Sequence, residues 1–231
     1  MSRFTQVAAL LLATWAADVA AQDGTVFLMQ RSSEPGEAKE LFVFVGEYVS
    51  YKPLDMGCDD CIVFDSWHTA RYRVAEWIHG VPPGPEIEFA VAEHATNVPF
   101  GHAQYSLVFI ERYDDKFALV KYQQVPVYPT SDGSFASCGP MWGHSSGPAE
   151  PLDPAEPALR DVDFSPRRVV DDARRLSPLG RAQAYDPRWH EALGDEVVCR
   201  RGIPVAELVP AIVRDHDTLK AALPNLARSA R

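Results

Sequence analysis

The sequence predicts a mainly β chain: a small barrel, then a linker, then a C-terminal α-helical extension. Three observations predict it. Between Leu41 and Tyr128, strand-like patterns follow one another with turn chemistry between them. From Gly139 to Pro166 the chain gathers six prolines and shows no apolar period. From Val205 onward, apolar residues recur at helical spacing. The expected organisation is a signal peptide at 1–21, a β-barrel module at 22–138, a Pro-rich linker at 139–166 and a mostly helical extension at 167–231.

The first segment reads as an export signal. Arg3 precedes an apolar run from Val7 to Ala17, and Val19-Ala20-Ala21 supplies small residues for cleavage after Ala21. The run falls short of the roughly 20 residues a membrane anchor needs, and Asp18 interrupts it. Export to the periplasm or the exterior is therefore expected, with no membrane insertion after cleavage. Removing 21 of 231 residues leaves 210, and Arg3 and Asp18 leave together, so the net charge stays at −10. An acidic chain repels phosphate backbones and anionic lipid, which argues against nucleic acid and membrane surfaces as partners.

The barrel elements follow in order. LFVFVGEYVSY, Leu41 to Tyr51, starts with a continuous apolar run, the mark of a strand buried on both faces. Gly46 within it marks a bend or bulge. In TARYRVAEWIHG, Arg71 and Arg73 alternate with Tyr72 and Val74. The phase then slips near Ala75, so that Trp77 takes the inward place, as a bulge would cause. GVPPGP is a turn, and EIEFAVAEH places Ile87, Phe89 and Val91 on one face. YSLVFIERYDDKFALVKYQQVPVY predicts a hairpin turning at Asp114-Asp115. TSDGSF predicts a tight turn with Gly133 free to take positive φ.

After the linker, Ser165-Pro166 and Asp186-Pro187 each match a helix N-cap followed by proline. Asp195 to Arg201 predicts a short extended piece containing Cys199. Apolar residues at 205, 208, 209, 212 and 213 form a helical stripe, and Pro210 is expected to kink that helix or split it from a last one near Thr218 to Leu223.

The succession FVGEYVS, ARYRVAEWIHG, EIEFAVAEH and YSLVFIERYDD resembles the netrin-like module, the OB-type barrel of the tissue inhibitors of metalloproteinases. The resemblance covers about residues 41–138. It implies an extracytoplasmic binding module and names no catalytic residue. Inhibition in that family resembles chelation of a protease zinc by an N-terminal cysteine. Here the mature terminus is expected at Gln22 and no cysteine precedes Cys58, so inhibition is not carried over.

Four cysteines, Cys58, Cys61, Cys138 and Cys199, suit two disulfides in an exported chain, with three possible connectivities. The favoured pairing joins Cys58 to Cys61 and Cys138 to Cys199, the second contributing on the order of 4 kcal/mol by loop entropy. Crossed pairings stay open. A redox role for the CxxC is opposed by Asp59 and Asp60 between the thiols and by the strand-like IVFD that follows. SCGPMW carries a CGP but no second cysteine. Glu93, His94 and His102 could hold a metal in a hydrolase, although no HExxH is present. GxSxG, P-loop and GxGxxG motifs are also missing from the sequence. No cofactor is expected. Barrel aromatics, Tyr48, Tyr51, Trp67, Tyr72, Trp77, Phe100, Tyr105, Tyr113, Tyr122 and Tyr128, either pack the sheet or stack a ligand, with packing the preferred reading. The expected function is an exported, non-enzymatic protein that binds a protein, peptide or glycan of the envelope. The alternatives are a metal-dependent hydrolase using Glu93, His94 and His102, and a thiol oxidoreductase using Cys58.

Overall fold

Strand β1 (Leu41–Pro53) alternates its side chains between two apolar environments along its first half, and that decides the architecture. The computed structural model describes residues 40–54, 65–81, 83–93, 103–139, 157–172, 177, 179 and 185–228. All belong to one compact unit, Ala38–Arg231. β1 pairs antiparallel with β2 (Ser66–His79) on one side and β4 (Tyr105–Tyr113) on the other. β2 pairs with β3 (Glu86–Glu93), and β4 with β5 (Lys116–Pro129). A parallel bridge, Ala90 to Ala118, joins β3 to β5 and closes the ring in the order β1-β2-β3-β5-β4. This is a small five-stranded OB-type barrel.

Irregularities in the β1–β2 ladder let the strands curve. Val45 pairs with Glu76 and Gly46 with Val74, so Ala75 is the extra residue of a bulge. The inward set of β2 changes phase there, and Trp77 stacks on Phe44 at 5.6 Å between centroids, as the sequence pattern predicts. Gly46 sits at the same place. A Cβ on it would lie 2.8 Å from Phe44 Cε2 and 3.0 Å from Tyr72 Cβ, so a glycine is needed for the strands to approach. Ile87, Phe89 and Val91 of β3 point inward as predicted and join Phe42, Phe44, Tyr72, Val108 and Ile110 in the barrel interior. The predicted hairpin turn is present, with Asp114 at φ 54°. Gly133 takes φ 83° in the turn before β6 (Phe135–Ala136).

The outer side of β1, β4 and β5 is a second core. Leu41, Val43 and Val45 from β1, Leu107 and Phe109 from β4, and Val125 and Val127 from β5 pack there against Ile203, Leu208, Val209, Ile212 and Leu219. These last belong to α1 (Val205–Asp215), α2 (Asp217–Ala222) and the segment just before α1. A third short helix, α3 (Pro224–Arg228), follows. The predicted stripe at 205, 208, 209, 212 and 213 is buried in full. Each such aliphatic side chain taken from water contributes about 1.5–3 kcal/mol before entropy is charged against it.

Three local readings are corrected. Pro210 does not split the helix: α1 runs through it, and the break falls at His216, which is extended (φ −113°, ψ 110°) and caps α2 by accepting from the Leu219 N–H. Packing of the flanking Val209, Ala211 and Ile212 holds the helix across the missing donor. Ser165-Pro166 does not start a helix. It is a cis peptide leading to β8 (Val169–Asp172). Asp186-Pro187 starts only one turn before β9 (His190–Leu193), which pairs with β10 (Glu196–Cys199), itself beside β8. β7 (Arg160–Asp161) pairs with β11 (Arg201–Gly202). Asp186 does accept from the Arg188 N–H as a cap would, and Ser165 makes no such bond among the described residues; the strand-forming VVDD and the hairpin around Gly194 follow in place of helices. The described part of 167–202 is thus β-rich, and among the described residues the sizeable helices begin at Val205.

Candidate functional site

Two places gather side chains with chemical character. The first is a disulfide clasp. WHEALGDEVVC folds as a hairpin about Gly194, at φ 61°, and Asp195, which sets His190 opposite Cys199. The chain leaving β6 runs alongside Arg201 to Ile203: Ser137 N donates to Ile203 O at 2.9 Å, and Gly139 N to Arg201 O at 2.9 Å. Cys138 is thereby carried to Cys199, and the two form a disulfide with Cα atoms 5.9 Å apart. That pairing matches the favoured one. Cys58 and Cys61 lie outside the described residues.

Around the clasp, His190 Nε2 lies 3.6 Å from Cys138 Sγ. Tyr185 packs edge-on against the imidazole, 5.2 Å between centroids. Trp189 covers Gly139, where a Cβ would fall 2.8 Å from Trp189 Nε1 and where φ is 85°. Only glycine meets both conditions. The turn that aims His190 is built on Asp186. Its carboxylate is fully buried, accepts from Arg188 Nε at 2.8 Å and from Arg188 N at 2.8 Å, and its carbonyl takes the His190 N–H at 3.0 Å. Burial pushes the Asp186 carboxyl up, but the Arg188 hydrogen bonds outweigh it and hold it below its ordinary value. Burial lowers the His190 imidazole, against the pull of Asp186. Cys138, His190 and Cys199 place one donor atom each within 4.8 Å of one another.

The second place is the wall that the helices leave uncovered. On β2 and β3, Arg71, Arg73 and Glu88 face outward and are exposed, with Glu86 half-buried. They form a cross-strand ladder: Arg71 to Glu86 at 2.5 Å, Arg73 to Glu86 at 3.4 Å and Arg73 to Glu47 at 2.9 Å. Next to it, Lys121 on β5 reaches Asp65 at the start of β2, 2.8 Å away, and that bond raises the lysine above its ordinary value. Tyr122 follows at φ 63°, left-handed backbone that a bulky residue rarely adopts. It sits where β5 slips between Leu119 and Gln124 against β4.

Most of the predicted aromatic set serves packing. Tyr72 and Tyr113 are buried, and Tyr48, Tyr51, Trp67, Trp77, Tyr105 and Tyr128 are half-buried. Of the described members only Tyr122 is exposed, so they form no stacking patch. Phe100, His94 and His102 lie outside the described residues. Glu93 ends β3, opposite Ser66. Asp65 pairs with Lys121, and His68 stacks on Tyr51 at 4.4 Å. His190 is the residue that sequence reading passed over. Its signal was the turn at Gly194-Asp195, which places positions 190 and 199 as a cross-strand pair. No family model, curated protein or solved structure matches the chain.

Proposed function

We propose that this chain is an exported, disulfide-bonded, non-enzymatic binding protein of the periplasm or exterior. Its OB-type barrel, read as netrin-like, presents the β2–β3 wall to a protein or peptide partner of the envelope. One observation carries this reading. The barrel's own C-terminal helices cover the outside of β1, β4 and β5, while the β2–β3 side, where OB-type barrels take ligands, stays open and charged. The barrel interior is filled by aromatic and aliphatic side chains, which favours a ligand on the surface. A charged ladder with few aromatics suits a polar protein surface better than a stacked sugar. The N-terminal sequence and the Cys138–Cys199 bridge support the extracytoplasmic address. No helix among the described residues is long and apolar enough to cross a membrane.

The test is affinity capture from native envelope extract with the mature protein and its Arg71→Glu/Arg73→Glu variant. A partner held by the first and released by the second, with thermal unfolding unchanged, is the expected outcome. Equal capture by both would move the binding surface elsewhere. Metal analysis of the same preparation addresses the hydrolase alternative: stoichiometric metal lost on replacing His94 or His102 would replace the binding reading.

A further inference from the structure

We propose that the Cys138–Cys199 disulfide is the closed, oxidised form of a Cys2His zinc site that His190 completes. The proposal is independent of the binding reading. Three observations point to it.

The first is the donor geometry. Zinc–sulfur and zinc–nitrogen bonds of about 2.3 and 2.0–2.1 Å at a tetrahedral angle set a sulfur–nitrogen edge of about 3.6 Å. His190 Nε2 and Cys138 Sγ are already 3.6 Å apart. The sulfur–sulfur edge of such a site is about 3.8 Å, and side-chain rotation reaches it from Cα atoms 5.9 Å apart.

The second is anchoring without the bridge. Cys199 and His190 are paired residues of the β9–β10 hairpin. Cys138 lies between Ser137 and Gly139, whose backbone N–H groups donate to the carbonyls of Ile203 and Arg201 respectively. Opening the disulfide therefore leaves the three donors in place, so a metal would meet a preformed site.

The third is access. Cys199 is buried at 3% exposure, whereas Cys138 and His190 are half-buried. The Cys138–His190 side is thus the more exposed side of the cluster, from which a reductant and then an ion would approach, and three protein ligands plus one water would complete a four-coordinate zinc.

The chemistry balances with a dithiol as reductant. It gives up two electrons and two protons and becomes its own disulfide, and the Cys138–Cys199 bond becomes two thiols. Zinc then displaces the two thiol protons and binds the thiolates together with neutral His190. In an oxidising compartment the site stays shut, and loss of oxidising conditions opens it.

The experiment uses the mature chain with Cys58→Ser and Cys61→Ser, so that only this thiol pair remains. The protein is reduced with dithiothreitol, freed of reductant without air, and titrated with cobalt(II) as a spectroscopic stand-in for zinc. One equivalent is expected, with sulfur-to-cobalt charge transfer and tetrahedral d–d bands that zinc abolishes. The oxidised protein should take none. Removing a ligand costs at least what removing its supporting partner does, so His190→Ala should weaken uptake at least about tenfold. Absence of uptake by the reduced protein, or uptake indifferent to His190→Ala, overturns the proposal. Should the double serine variant fail to fold, the reduced mature protein with all four cysteines is titrated against its Cys138→Ser variant. A difference of one equivalent supports the site, and no difference overturns it.

Discussion

The two halves of β1 make the most instructive contrast in this molecule. Leu41 to Gly46 is buried on both faces, between the barrel interior and the helices. Glu47 to Pro53 belongs to the same strand and the same barrel, yet Val49, Lys52 and Pro53 are exposed. The difference lies in what covers the outside. The first half meets α1, and the second half continues the charged wall with Arg73. A strand reads as continuously apolar where a second layer covers it and as alternating where water does. The open half of the barrel is thus marked in the sequence, and that same half is the proposed binding wall.

Mutations can break or sharpen this contrast. The largest effects should fall on the doubly covered side. Phe44→Ala, inside the barrel, and Ile212→Ala, under the helix, each remove a fully buried side chain and should cost about 3–5 and 2–5 kcal/mol in urea unfolding. If Ile212→Ala cost little, the helices would be an ornament on the barrel and the contrast would fail. Next is Gly202→Ala at the seam between β11 and the chain after β6. Its Cβ would lie 1.8 Å from Ser137 O, a backbone atom that cannot swing aside. A loss at the upper end of about 1–3 kcal/mol is expected in the same unfolding measurement.

Tyr72→Phe tests the interior on its polar side. Burial raises the Tyr72 phenol, so it remains a hydroxyl, and it accepts from buried Gln124 Nε2 at 2.7 Å. Leaving that amide unpaired should cost about 1–3 kcal/mol, and Gln124→Leu in the same background should recover part of it. On the open wall, Arg73→Ala removes exposed ion pairs and should change stability by less than about 1 kcal/mol, while altering partner capture. A large stability loss there would mean that the wall is structural.

The smallest effect concerns the TSDGSF turn. Thr130 and Ser134 hydroxyls and the Ser134 N–H hold the Asp132 carboxyl down at about 2. A carboxylate depressed in the folded state stabilises above its ordinary value near 4, and that contribution is lost as pH falls toward about 2. A carboxyl titration followed by NMR should place Asp132 below the other exposed aspartates. An ordinary midpoint would mean that the turn is not closed in solution.

The sequence alone determined the five barrel strands, the bulge near Ala75, the glycine at 46, the hairpin at Asp114 and the apolar stripe of α1. Each depends on neighbours within a few residues, where the periods of 2 and 3.6 and the freedom of glycine act directly. Sequence was misleading at Ser165-Pro166, at Asp186-Pro187 and in allowing a split at Pro210, because caps and breakers are weak local signals that packing overrides. Three things were decided only by the tertiary structure. Ring closure through Ala90 and Ala118, the seating of the helices on β1, β4 and β5, and the meeting of His190 with Cys138 all join residues 28 or more positions apart. Such contacts form only after loop-closure entropy has been overcome by collective burial, a property of the whole chain and not of any motif within it.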